Sequence, residues 1–357
     1  MGAHVFIVNS DTIQVTKNKL VCAVVRDMGE GKLMEKTKAD ILADLSCVRE
    51  GDRIFFYEIK KGFHGIFEAV GKPFVSEEEI EFNGKYLFGN ENNPHYKEGD
   101  LITPNRILIK PLKIFKKPIS EMVAFGRFIS AVDLRSIFYK KVLGRGKSIT
   151  HLFPEEEQKL TKLLSKDNEV IQIETNQYSP SDKKEIKFNL TPNSNNEVKF
   201  EKILEGYIIQ NIEEILPKID KEMKELEIEC FANYVPVTIA GGNLDIVVFL
   251  KNKDNEKKQI SIIELKKGVV VEKDIEQLEG YVKWATENLS QILKENDKKI
   301  DIDLVNNVSI IKPMIIGSGV NQKALNRLSK YGLQSKKPVA VKYKLNKDKM
   351  DFEILFS

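Results

Sequence analysis

The chain has 357 residues, 41% of them hydrophobic, and a formal net charge of +3. That length suits two domains with real cores, and so mild a charge leaves any nucleic-acid binding to local basic patches. No run of eighteen apolar residues, no signal-peptide pattern and only three scattered cysteines (Cys22, Cys47, Cys230) occur, so no membrane partner, no disulfide framework and a reducing, cytoplasmic setting are expected.

The first third reads as β-rich. Candidate strands are 4–8, 20–26, 53–59, 65–70 and 106–110, with a short helix over 37–45 capped by Thr37. The pairs Gly51-Asp52 and Gly99-Asp100 each introduce a strand, as turns do. The stretch REGDRIFFYEIKKGFHGIFEAVGKPF is the distinctive piece. It resembles the core of the PUA-like superfamily, most of all its EVE and YTH branches. That resemblance implies a small barrel within 1–165 that holds a flipped, modified base between aromatic or apolar side chains. This half has no Trp, so the cage candidates are Phe63, His64, Tyr86, Phe88, Tyr96 and Phe125. The plainer reading is that loop aromatics cover the barrel ends, while Phe55, Phe56 and Phe67 are core. His64 and His95 read as loop residues without zinc spacing.

Residues 133–148 form a basic and aromatic cluster. Arg135, Lys140, Lys141, Arg145 and Lys147 flank Ile137, Phe138 and Tyr139. They suit phosphate contacts to DNA, or equally a solvated basic helix end. GRGKS lacks the spacing of a phosphate-binding loop, which excludes nucleotide binding there. Pro154 and the three glutamates after it start a helix. The Ser-, Asn-, Pro- and Lys-rich stretch 166–195 reads as a linker, within which 169–174 (EVIQIE) and 185–190 (EIKFNL) are open to forming strands.

In the last part, 200–216 (FEKILEGYIIQNIEEIL) has the helical period, with Glu201 and Glu205 leaning toward its buried side. Residues 244–250 (LDIVVFL) and 260–265 (ISIIEL) read as buried strands around the polar turn KNKDNEKKQ. If the hairpin is symmetric, paired residue numbers sum to 509, which places Asp245 opposite Glu264 and adds Lys266 to the same face. Two carboxylates and an ammonium at one sheet edge suit Mg²⁺ or Mn²⁺, which accept one or two carboxylates and lower the pKa of bound water. The plainer alternative is a solvated strand-end salt bridge. A second helix follows over 274–293, with Gln277 and Tyr281 four apart on one face. Strands at 308–316, 338–345 and 352–356 and a short basic helix from Gln322 complete the pattern.

The ordered set (helix glutamate, LDIV, IELK, QLxxY) resembles the PD-(D/E)XK nuclease superfamily, and within it the archaeal and bacterial flap and mismatch endonucleases and their restriction-enzyme relatives. Leu244 stands where the motif's Pro is usual. The resemblance implies Asp245 and Glu264 as metal ligands, Lys266 as catalytic lysine, Glu201 (Glu205 the alternative) as a further ligand, and Gln277 lining the site. The expected class is α/β (α+β): a β-rich PUA-like barrel at 1–165, then an αβββαβ nuclease domain at 196–357. The expected activity is Mg²⁺- or Mn²⁺-dependent cleavage of DNA, modified or not, with a modification-dependent restriction enzyme as the simplest role. Cutting both strands would need two sites, hence a homodimer. The rivals are a flap or mismatch repair nuclease and a non-catalytic nucleic-acid binder.

Overall fold

The computed structural model describes residues 2–24, 35–98, 100–120, 123, 148–166, 169–237, 242–254, 258–295, 311–331 and 336–357. They form two compact units, Met1–Lys187 and Phe188–Ser357.

In the first unit, β1 (Ala3–Val8), α1 (Ser10–Lys19), β2 (Val21–Val24), α2 (Glu35–Ser46), β3 (Arg53–Glu58) and β4 (Gly62–Val75) come first. The hairpin β5 (Ile80–Phe82) and β6 (Lys85–Leu87), then β7 (Asn105–Ile119), β8 (Ile149–Leu152), α3 (Pro154–Ser165), β9 (Val170–Ile171) and β10 (Lys184–Glu185) follow. The main sheet runs β2-β7-β4-β3-β1-β8, with β9 on β7 and β10 on β4. β1 and β3 are parallel, and β3–β4 and β4–β7 antiparallel. The β4–β7 ladder shifts register three times. Such bulges increase twist and bend a sheet, which lets β4 and β7 serve as curved staves. Val5, Phe55, Tyr57, Phe63, Ile66, Phe115 and Leu160 pack into one buried cluster.

Three expectations change here. The sequence reading missed α1, which starts with a capping box. The Asn9 side chain accepts from the Asp11 and Thr12 amides, and the Asn9 amide donates to Thr12 Oγ1 at 3.1 Å. Thr37 lies inside α2 rather than at its cap. The stretch 166–195 is not a simple linker: the strand alternative holds in part, with β9 and β10 joining the first sheet, and Tyr178 packs against the cluster of Val15, Val21, Ile80 and Leu87. The polar composition that reads as linker instead supplies hydrogen bonds. Arg106, fully buried, donates to the Thr103, Glu78 and Leu87 carbonyls, to Ser76 Oγ and to Tyr178 OH, so all of its guanidinium nitrogens are used.

The second unit comprises α4 (Glu201–Gln210), α5 (Ile212–Ile219), β11 (Leu226–Pro236), β12 (Asn243–Asn252), β13 (Lys258–Leu265), β14 (Val269–Val270) and α6 (Glu272–Glu295). After these come β15 (Ile311–Gly317), β16 (Gly319–Val320), α7 (Gln322–Ser329), β17 (Val339–Asn346) and β18 (Lys349–Phe356). The sheet order is β11-β12-β13-β15-β17-β18. This is the αβββαβ order expected, with the predicted first helix divided at Asn211. β13, β15 and β17 are parallel neighbours. A parallel pair needs a crossover, and α6 provides it between β13 and β15. Its apolar stripe Ile275, Leu278, Val282, Ala285 and Leu289 is buried. β12 and β13 are buried on both faces, which explains their unbroken apolar runs. Among the described residues no helix is long and apolar enough to cross a membrane. The mixed α/β class is as expected.

Candidate active site

The hairpin register is the symmetric one: Ile246 pairs with Ile263, Val247 with Ile262 and Leu250 with Gln259. The next rung places Asp245 across from Glu264, and Asp245 Oδ2 accepts the Leu265 amide at 2.8 Å. Glu264 is 2% exposed. Its Oε1 receives Lys266 Nζ at 2.6 Å, and Lys266 Nζ also donates to Gln277 Oε1 at 3.2 Å. The Gln277 amide nitrogen then donates to Tyr281 OH at 2.7 Å. One turn of α6 therefore fixes the Gln277 amide, with its oxygen toward the lysine.

Glu201 opens α4, where the helix dipole favours an acid, and its Oε2 accepts the Lys267 amide at 3.2 Å. Glu205, one turn on, is fully buried. It accepts from Asn233 Nδ2 at 2.6 Å and from Lys202 Nζ at 2.5 Å. The structure thus brings Asp245, Glu264, Lys266, Gln277 and Glu201 to one edge, with Glu205 behind. Lys202 and Asn233 went unnoticed in the sequence. Lys202 reads as an ordinary solvated helix lysine, and no local pattern ties Asn233 to α4.

Electrostatically the site is under tension. Burial first, then repulsion from Glu264, Glu205 and Glu201, drives the Asp245 carboxyl well above the usual range. Burial lifts Glu264 to about 7, against the pull of Lys266. For Lys266 burial works downward, but Glu264 more than offsets it and its pKa is raised. Glu264 Oε2 is buried, and the neighbouring Asp245 carboxyl is the one group it can bond to, an arrangement that carries a desolvation penalty. Acids held in proton-binding form, with one oxygen facing only another carboxyl, match what a small divalent cation displaces and completes. Among the described residues no three His, Cys, Asp or Glu form a ligating cluster; Mg²⁺ asks for no more than a pair.

A second feature lies in the first unit. Tyr86 stacks on Phe88 at 5.6 Å and on His95 at 5.5 Å between ring centroids, and Tyr96 meets Phe88 edge-on. With Asn9, Asp11 and Lys85, the rings of Tyr86, Phe88 and His95 line a cavity of about 430 Å³. Of the other cage candidates, Phe63 is core. His64 is not a loop residue but a buried member of β4, between Glu58 (2.8 Å) and Lys17 (3.1 Å). Phe125 and the basic cluster of Arg135, Lys140, Lys141, Arg145 and Lys147 lie outside the described residues. On α7, Arg327 is engaged by Glu276 and Glu279, and Cys22, Cys47 and Cys230 are buried and form no disulfide.

No family model and no curated protein matches the chain. Among solved structures, similarity is found to Rpa0253 from Rhodopseudomonas palustris, 19% identical over 46% of this chain and 92% of that one, with a TM-score of 0.26. Human THYN1, solved with DNA containing 5-methylcytosine, is 15% identical over 47% of this chain and 99% of that one, with a TM-score of 0.27. EndoMS, solved with double-stranded DNA, is 10% identical over 90% of this chain and 97% of that one, with a TM-score of 0.25.

Proposed function

We propose that the second unit hydrolyses DNA phosphodiester bonds with Mg²⁺ or Mn²⁺, and that the first unit recognises a modified base. One observation carries the hydrolytic reading: two buried carboxyls with raised pKa, Asp245 and Glu264, face each other beside a bonded lysine, and Glu264 Oε2 meets no donor but the Asp245 carboxyl. Asp245 and Glu264 would hold the cation, with Glu201 contacting a metal-bound water, since Glu205 is already engaged by Lys202 and Asn233. A cation there supplies Lewis acidity toward the phosphate and acidifies a bound water. Lys266, held between Glu264 and Gln277, orients the attacking water or neutralises charge developing on the phosphate oxygens. Gln277, fixed by Tyr281, keeps the ammonium from swinging to solvent.

The reader half rests on the Phe88–Tyr86–His95 stack and its cavity. A flipped base offers a π-face to such rings, at roughly 1–3 kcal/mol per base. Together the halves make a modification-dependent restriction enzyme, and two copies would cut both strands. The test uses plasmid or phage DNAs differing only in base modification, with and without Mg²⁺ or Mn²⁺, and Lys266→Ala as control. Metal-dependent cutting of one modified DNA supports both halves. Cutting of every DNA removes the base reader. Cutting of branched or mismatched DNA alone favours a repair nuclease, and binding without cutting a non-catalytic role.

A further inference from the structure

β11 carries a backbone anomaly level with the site. Tyr234 has φ 52, the left-handed region that suits glycine and is rare for an aromatic residue. Among the described residues it is the only non-glycine residue within a strand to do so. The β11–β12 register pairs Asn233 with Ile246 and Val235 with Leu244, so Tyr234 lies abreast of Asp245. The half-buried ring is also gripped from the helix side: Lys202 Nζ sits 4.9 Å from its centroid. Lys202 in turn is bonded to Glu205 and adjoins Glu201 in α4.

We propose that Tyr234 contacts the substrate, its ring forming the platform on which the base or sugar beside the scissile phosphate rests. This rests on the phosphodiesterase reading above. Side chains alternate along a regular strand, so a left-handed residue is a way to re-aim one of them. Strained conformations persist where the surroundings over-determine them, and they gather at ligand clamps. Here the neighbouring residue Asn233 is anchored on Glu205 and the ring on Lys202, so both sides of the anomaly are tied to the wall of the acidic site. An ordinary core tyrosine needs neither the twist nor a position beside Asp245. A ring under an ammonium suits nucleic acid doubly, by stacking and by charge. The assignment makes Tyr234 a contributor to substrate affinity and not to the chemical step.

The experiment compares wild type, Tyr234→Phe, Tyr234→Trp and Tyr234→Gly in the full chain, reading kcat and KM for metal-dependent DNA cleavage together with Tm. Phe and Trp keep KM within about threefold of wild type. Gly adopts the left-handed backbone without strain, so its Tm holds, while KM rises on the order of tenfold or more and kcat stays close. Tyr234→Asn, which also tolerates this backbone, repeats the comparison should the Gly chain soften. An unchanged KM in both the Gly and Asn variants overturns the assignment and leaves the nuclease reading standing. A kcat loss with KM constant likewise overturns it, as a structural role behind Asp245 would give that result. Wild type that cuts no DNA under any metal overturns both.

Discussion

Arg106 and Glu264 are both buried ionisable side chains, and they are buried on opposite terms. Arg106 is surrounded by acceptors matched to its planar donors: three carbonyls, a serine and a tyrosine. It closes the first unit by tying the β5–β6 hairpin and the Tyr178 segment to β7. Glu264 is set against Asp245, Glu201 and a single lysine, with one oxygen left facing only another carboxyl. A fully satisfied buried charge stabilises the unit that holds it, whereas an unsatisfied acidic pair costs stability that packing elsewhere must offset. Where a fold keeps such a pair, function is the better explanation, because nothing in the packing asks for it.

The comparison can be broken at either end. The largest effect is expected at the acids. Asp245→Ala and Glu264→Ala should each lower metal-dependent cleavage by roughly 10²–10⁴-fold while DNA binding persists. Retained cleavage in either variant would sink the site assignment. Next, Arg106→Met should cost about 3–5 kcal/mol in urea unfolding, since it strands several buried acceptors at once. A loss below about 1 kcal/mol would show that the network does not support the fold.

The pH dependence sharpens the contrast. The Glu264 carboxyl titrates near 7 in the folded protein against 4.5 ordinarily. The folded state therefore binds the proton more tightly than the unfolded chain across that window. Metal-free stability should fall as pH rises from about 4.5 to about 7, and stay low above it. Glu264→Gln should flatten this slope and raise stability at pH 8 in EDTA, by on the order of 1–3 kcal/mol. Mg²⁺ should raise the wild-type Tm at pH 8 and leave the variant's unchanged. A flat wild-type profile would contradict the tension read from the site. The smallest effect belongs to Tyr281→Phe, which removes the acceptor holding the Gln277 amide. It should cost about 1 kcal/mol in stability and lower kcat severalfold with KM unchanged, whereas an equal fall in Tyr281→Phe and wild type on mild heating would point to packing alone.

Much of the second unit was legible because its signals are local and periodic. LDIVVFL and ISIIEL are apolar on both faces, the turn between them is polar, and period-2 geometry then dictates which residues face each other. Asp245, Glu264 and Lys266 meet for that reason. Gln277 and Tyr281 meet because helical spacing puts residues four apart on one face. The first unit was less legible. Its strands were visible, but α1 is short, largely polar and signalled chiefly by the Asn9 cap. The stretch 166–195 looked like a linker because its side chains are polar, and polarity does not reveal whether a hydrogen-bond partner waits across the fold.

By itself, then, the sequence determined the α/β class, the strand–helix order of the second unit apart from β11, whose residues gave no strand signal, and the hairpin pairing that sets its acids, all of which follow from short-range periodicity and turn chemistry. Only the tertiary structure decided that Arg106 is a buried hub, that Glu205 is engaged by Lys202 and Asn233 while Glu201 reaches the site's rim, that Tyr86, Phe88 and His95 form one stack, and that Tyr234 twists beside Asp245. Each of these depends on contacts between residues distant in the chain, whose meeting is set by sheet order and helix packing rather than by any local pattern.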